Sequence, residues 1–385
     1  MEHFFRGSKR LLRPLYRRVT YRKGVADAIA TAATAPSAAP PPAPRSPPFV
    51  ASGADPDQLL FQSGDVCISL SATWGLPHYA EAIAHNKRGG TVKCINLIYD
   101  LIPTLYPQWL PSDASRLVTI WVRQQIVNAD HLLTISEFQK KEIEKYIIEG
   151  GLPARPIDAI RLGDNPPLLS ELDKRALARP RYTPTKEFVL CVSTLDVRKN
   201  HQCLYHVWRR LAQELGDDCP KLLLIGVVHQ FVRDFLYQIR HDRLVNRLIV
   251  DLSDITDEEL AWYYRNCLFT VYPSMYEGWG LPVSESLAVG KYCIAGNAAS
   301  LPEVGGDLVD YFDPIDYPAC YRLAHRAITD PDYVRHREEQ IRGSYKPTTW
   351  RMTAKQISRL VDELSRSPTA PNARRTANIV AQPVA

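Results

Sequence analysis

The chain has 385 residues, of which 45% are hydrophobic and 23% charged, a balance that fits a globular protein long enough for two domains. Its net charge of +5 sits at one end: residues 1–23 hold Arg6, Lys9, Arg10, Arg13, Arg17, Arg18, Arg22 and Lys23 against Glu2 alone. The remainder is slightly acidic, so nucleic acid is not an expected partner, and no apolar run is long enough to predict a membrane-spanning helix.

In chain order, residues 1–24 mix these cations with Phe4, Phe5, Leu11, Leu12, Leu15 and Tyr16, interrupted by Pro14. Such a segment either makes a peripheral contact with an anionic membrane surface or is a solvated tail. An Arg-rich, acid-poor start also has the composition of an organelle transit peptide. Residues 31–48 are Ala/Pro-rich and predict an extended linker, so 1–48 is expected to be tail and linker.

From there, short apolar runs alternate with amphipathic stretches. Strands are predicted at 66–70, 92–98, 131–135, 188–192, 222–227, 247–251, 267–271 and 292–295. They are continuous and rich in Ile, Leu and Val, as in parallel strands covered on both faces. Ser136–Gln139 and Thr256–Glu259 both fit a capping box at a helix start. Strand–helix alternation predicts an α/β chain with parallel sheets. The Pro-rich stretch 165–187 divides it into domains at 49–170 and 180–345. A last amphipathic helix over 351–364 lies in a segment 346–365, and 366–385 is a polar tail.

Eight cysteines contain no C-x-x-C pair, and Cys67, Cys94, Cys191, Cys267 and Cys293 lie in apolar runs. Buried reduced thiols are expected, which suits a cytoplasmic setting.

The stretch 267–306 carries the chemistry. A buried strand ends at Tyr272-Pro273-Ser274, a loop with Gly278 and Gly280 follows, and Pro282 opens a helix just after Leu281. Glycine admits close backbone approach, and a helix start at the C-terminal edge of a parallel sheet receives phosphate. Glu277 and Glu285 flank that start. One carboxylate can accept from ribose hydroxyls and the other from a transferred sugar. A second turn, Arg198-Lys199-Asn200 after strand 188–192, presents two cations suited to a diphosphate; its alternative is a solvated basic turn.

The Glu277-x7-Glu285 pattern, with Ser300-Leu301-Pro302-Glu303-Val304 beyond it, resembles the donor signature of family 4 retaining glycosyltransferases of GT-B fold. The resemblance covers about 62–365 and extends to bacterial mannosyltransferases of surface polysaccharide synthesis. It implies two facing Rossmann-like, doubly wound domains, with the first reduced, because its usual opening strand, Gly-rich turn and helix have no room before 66–70. It implies a nucleotide-sugar donor, with GDP-mannose suggested, a glycan or lipid-linked acceptor, and no metal or other cofactor. Glu277 and Asp100 would be catalytic. Arg198, Lys199, Gly278, Gly280, Leu281 and Glu285 would bind donor, Lys199 through its phosphates. Thr194 stands where relatives have Arg, so Arg198 would compensate. Leu97–Pro103 resembles the interdomain loop, although Tyr99 replaces a common His; the other reading of Asp100 is a turn residue. Trp74, Gly75 and His78 are the acceptor-side candidates, with His78 alternatively a plain helix-start residue.

The expected activity is hexosyl transfer in polysaccharide synthesis. A different GT-B enzyme, such as an epimerase or phosphorylase, and a non-catalytic nucleotide-sugar-binding or scaffold protein are the alternatives.

Overall fold

The computed structural model describes residues 64–76, 78–87, 92–164 and 180–366, all within one compact unit, Leu59–Ala385. The basic segment 1–24, the linker 31–48, most of the predicted boundary and the tail beyond 366 lie outside the described residues.

The first half builds a four-stranded parallel sheet in the order β1-β2-β3-β4. Its strands are β1 (Val66–Ser69), β2 (Lys93–Leu97), β3 (His131–Thr134) and β4 (Ile157–Ala159). Between them run α1 (Tyr79–Lys87), the short α2 (Ile102–Leu105), α3 (Ser112–Asn128) and α4 (Glu137–Glu149). β3 is buried along its whole length, so its HLLT sequence shows no alternation. β4 was not foreseen: only Ile157 of its three residues is buried, too weak a pattern to read.

The second half builds a six-stranded parallel sheet in the order β10-β9-β8-β5-β6-β7. The strands are β5 (Phe188–Val192), β6 (Lys221–Ile225), β7 (Ile249–Leu252), β8 (Thr270–Tyr272), β9 (Cys293–Gly296) and β10 (Asp310–Phe312). The helices are α5 (His201–Leu215), α6 (Arg233–His241), α7 (Asp257–Asn266), α8 (Leu281–Ala288), α9 (Leu301–Gly305), α10 (Tyr317–Thr329), α11 (Pro331–Ser344) and α12 (Trp350–Arg366). After β5 the chain winds outward through β6 and β7, then returns to lay β8 on the other side of β5. That reversal falls between β5 and β8, and the C-terminal ends of strands at such a reversal are the place where open α/β sheets bind ligands.

The second sheet has a core on each face. Trp208 of α5 is fully buried and donates Nε1 to the Pro220 carbonyl at 3.0 Å, so its indole is packed and its polar atom satisfied. Tyr263 and Tyr264 of α7 fill the opposite face. A third cluster joins the halves: Ile95, Leu97, Leu133 and Ile135 pack with Trp279, Val283 and Leu301. α12 runs back against the first sheet: Lys93 Nζ donates to the Leu364 carbonyl at 2.6 Å and Thr353 Oγ1 to the Arg161 carbonyl at 2.7 Å. Buried Asp164 fastens the return, accepting from Thr348 N at 2.6 Å and Tyr345 Oη at 2.6 Å.

All eight cysteines are free thiols and seven are buried. No described helix is long and apolar enough to cross a membrane.

Candidate functional site

The site forms where three loops meet. The first follows β5. Asp196 accepts from Arg198 N and starts a single 3-10 turn, Val197–Lys199, that ends on Asn200 in the left-handed region (φ 56°). Asparagine tolerates that conformation, and its amide Nδ2 donates to the carbonyls of Pro314 at 2.8 Å and Pro273 at 3.2 Å. The turn therefore holds Arg198 and Lys199 towards the second loop.

That loop joins β8 to α8. Gly280 has φ 114°, and an added Cβ would stand 2.5 Å from Leu301 Cδ2, so glycine is required there. A Cβ on Gly278 would reach Tyr99 O at 3.1 Å and Asp100 Cβ at 3.2 Å. Serines grip the loop from both sides. Ser300 Oγ donates to the carbonyls of Trp279 at 2.8 Å and Glu277 at 3.0 Å, while Ser136 Oγ donates to Gly278 O at 2.9 Å. Pro282 stands in the first turn of α8, whose cap is Gly280.

At the centre lies buried Glu277. Its Oε1 is 2.5 Å from Lys199 Nζ and its Oε2 is 2.7 Å from Arg198 Nη1. Oε1 also accepts from Ser274 Oγ at 2.6 Å and Tyr272 Oη at 2.8 Å, and Tyr272 Oη accepts in turn from Lys199 Nζ at 2.6 Å. Burial alone would raise the Glu277 carboxyl, but Arg198, Lys199 and these hydrogen bonds prevail and hold it at about 2. Burial, reinforced by Arg198, lowers Lys199 to about 8. Arg198 and Lys199 thus bring two cationic groups to one place, with Glu277, Asp196 and Asp100 as the carboxylates in their field.

The third loop follows β2. Asp100 is half-buried, and burial raises its carboxyl above the ordinary range, partly offset by Arg198. Its Oδ1 accepts from Ile102 N at 3.0 Å, which is the turn role, while the carboxyl also lies in the field of Arg198, Glu277 and Lys199. Glu285 stands apart from the central cluster in its pairing. Its Oε2 accepts from Tyr264 Oη at 2.8 Å, and burial pushes it up to about 7.

The acceptor-side candidates sit on the loop after β1, at the same sheet edge as Asp100. Trp74 packs edge-on against Trp121, ring centroids 5.2 Å apart. Gly75 and His78 are exposed, and His78 precedes α1 with φ 57°. The capping expectation at Ser136 is half met. Ser136 Oγ accepts from Gln139 N at 3.1 Å, but the Gln139 amide turns away from the cap to Tyr276 Oη at 3.2 Å and Glu277 O at 3.3 Å. At Thr256 the full reciprocal box forms with Glu259.

Sequence reasoning missed two partners. Tyr264 reaches Glu285 from another helix, and nothing in the local sequence of α7 signals it. Glu303 accepts from Glu137 N at 2.9 Å and Phe138 N at 3.2 Å, placing a carboxylate of the second half on the start of α4 in the first. The Leu-Pro-Glu of α9 was visible, but its partner was not.

Residues 174–346 match the family described as "Glycosyl transferases group 1". The chain is similar to serotype-specific mannosyltransferase WbdA of Escherichia coli, 25% identical over 68% of this chain and 32% of that protein. It thus spans about a third of WbdA. It is also similar to O-antigen chain mannosyltransferase B of Escherichia coli, 26% identical over 71% of this chain and 72% of that one. Among solved structures it resembles sucrose-phosphate synthase from Thermosynechococcus elongatus (TM-score 0.56, 19% identity, 74% of this chain and 72% of that chain). It likewise resembles an α,α-trehalose-phosphate synthase from Burkholderia xenovorans (TM-score 0.59, 13% identity, 78% and 73%). The fold is GT-B, residues 174–346 match the group 1 glycosyl transferases, and the chain resembles bacterial mannosyltransferases.

Proposed function

We propose that this GT-B chain is a retaining glycosyltransferase that moves a hexose from a nucleotide-diphosphate sugar to a glycan or lipid-linked acceptor. Mannose carried on GDP is the donor we favour, because the relatives above are named mannosyltransferases. The observation that supports it best is the buried Arg198–Lys199–Glu277 cluster at the strand-order reversal, beside the start of α8.

In this mechanism the donor diphosphate lies against Arg198, Lys199 and the first turn of α8. Glu277 accepts from hydroxyls of the transferred sugar and Glu285 from the ribose. As the anomeric bond breaks, the sugar becomes oxocarbenium-like and negative charge grows on the diphosphate. Cations already fixed by Glu277 and Tyr272 meet that charge without reorganising. Asp100, at the facing edge, orients the sugar. Contacts between the halves at Ser136, Gln139 and Glu303 exclude water from the reacting atoms.

A thermal-shift panel of nucleotide-sugars tests the donor assignment. A specific donor at a hundred times its Kd stabilises the protein by about 2.7 kcal/mol. Transfer to an oligosaccharide, with the product anomer read by NMR, tests the reaction. No stabilisation by any nucleotide-sugar would sink the proposal. A second reading is a nucleotide-sugar-binding protein without transfer, motivated by the four strands described in the first sheet. Donor stabilisation with neither transfer nor hydrolysis would favour it.

A further inference from the structure

Beside the cluster lies an aromatic group that the proposed donor chemistry does not use. Trp109 ends the 3-10 turn Pro107–Trp109, and its N–H donates to the Tyr106 carbonyl at 3.1 Å, so the backbone fixes both residues. Their rings stack, centroids 4.4 Å apart and 18° from parallel. Tyr106 then meets Tyr276 from the second half at 5.0 Å. Tyr276 directly precedes Glu277, its carbonyl accepts from Arg198 Nη1 at 2.8 Å, and its hydroxyl accepts from Gln139 Nε2 at 3.2 Å. The stack therefore stands next to the reacting centre and is tied to it.

Tyr276 is buried, whereas Tyr106 and Trp109 are each partly exposed. Polar groups rim the rings: Tyr276 Oη approaches Glu142 Oε2 at 3.5 Å, and burial together with the Glu142 carboxylate raises the Tyr106 phenol. A flat, partly open aromatic surface with hydroxyl and carboxylate groups at its edge matches a pyranose ring. The sugar's C–H face lies on the ring, and its hydroxyls reach the polar rim.

We propose that the Tyr106–Trp109 stack is the platform on which the acceptor saccharide lies, with Glu142 receiving its hydroxyls. This rests on the transferase reading above and assigns its acceptor a sugar ring at the bond-forming end. The platform belongs to the first half, and through Tyr276 it adjoins the loop that carries Glu277. Trp74 and His78 would then serve folding of the β1 edge rather than acceptor recognition.

The test uses the full chain and Trp109→Ala, with Trp109→Phe as the conservative variant. Binding of mannose, glucose, galactose and N-acetylglucosamine oligosaccharides is followed by saturation-transfer NMR, and transfer from the preferred nucleotide-sugar is measured in parallel. Expected for Trp109→Ala are an acceptor KM raised about tenfold or more, a donor KM within about twofold of wild type, and donor hydrolysis retained; Trp109→Phe recovers most of the acceptor affinity. An unchanged acceptor KM in Trp109→Ala overturns the platform while leaving the transferase intact. Oligosaccharide binding that depends on Trp109 in a protein that stabilises with no nucleotide-sugar supports the platform and removes the transferase. Binding of neither ligand class by wild type overturns both.

Discussion

Lys199 Nζ and Glu277 Oε1 lie buried 2.5 Å apart, although 78 residues separate them in the chain. β5 and β8 are neighbours in the sheet, so the loops that leave them meet, and each loop delivers one charge. Lys199 depends on this pairing, because an uncompensated buried charge costs several kcal/mol, whereas Glu277 also pairs with Arg198 at 2.7 Å.

Glu277→Gln should keep the fold and lower turnover about a hundredfold or more, since it removes the carboxylate from the sugar and leaves Arg198 and Lys199 unbalanced. The melting temperature should fall and be partly restored by the nucleoside diphosphate, whose charge replaces the lost one. Steady-state kinetics and thermal shift read both effects; wild-type turnover in this variant would refute the site.

Lys199→Met should act differently. Glu277 keeps Arg198 at 2.7 Å, so stability should change less than in Glu277→Gln. Donor affinity should fall about tenfold or more with the loss of one charge-assisted contact to the diphosphate. Isothermal titration with the nucleoside diphosphate checks this, and an unchanged affinity would exclude Lys199 from the phosphate site.

Glu285 is pushed up to about 7 from an ordinary 4.5. A carboxyl whose folded pKa is raised contributes stability that is full below about 4.5 and is lost as pH rises through about 7. Glu285→Gln, which mimics the protonated form, should therefore gain on wild type in stability between about pH 5 and about pH 8. Donor affinity should move the opposite way in wild type, strengthening as the carboxylate ionises and accepts from the ribose. Denaturation midpoints and donor titrations across that range read the two trends, and parallel pH profiles for wild type and variant would contradict both.

Glu303→Gln should weaken the contact between the halves. It replaces the carboxylate on the first two N–H groups of α4, a cap worth about 1 kcal/mol. Amide exchange at 137–139 should quicken, and donor hydrolysis should rise relative to transfer as the closed arrangement loosens. A hydrolysis-to-transfer ratio equal to wild type would show that Glu303 has no part in closure.

Thr256→Ala provides a contrast. It removes half of the capping box on α7 and should cost about 1 kcal/mol of stability with kcat and both KM values unchanged. Chemical denaturation and kinetics separate the two.

The legible part of this protein was local. Continuous apolar runs gave eight of the ten described strands, because parallel strands buried on both faces need no polar alternation. β4 and β10, with three residues each, carry too little pattern to be seen. Gly278, Gly280 and Pro282 marked the loop between β8 and α8 because backbone geometry is written in those residue types. Glu277, Arg198 and Lys199 were readable as chemistry, since each sits beside a strand end.

Sequence alone thus determined where eight of the described strands lie, where the chain turns sharply, and which charges stand at those turns; these follow from residues close together in the chain. Tertiary structure alone decided that β8 returns beside β5, that Glu277 pairs with both Arg198 and Lys199, that Tyr264 and not a neighbour holds Glu285, and that Tyr276 meets Tyr106 across the halves. Those pairings depend on strand order and packing between distant segments, and no local pattern encodes which distant side chain will fill a given space.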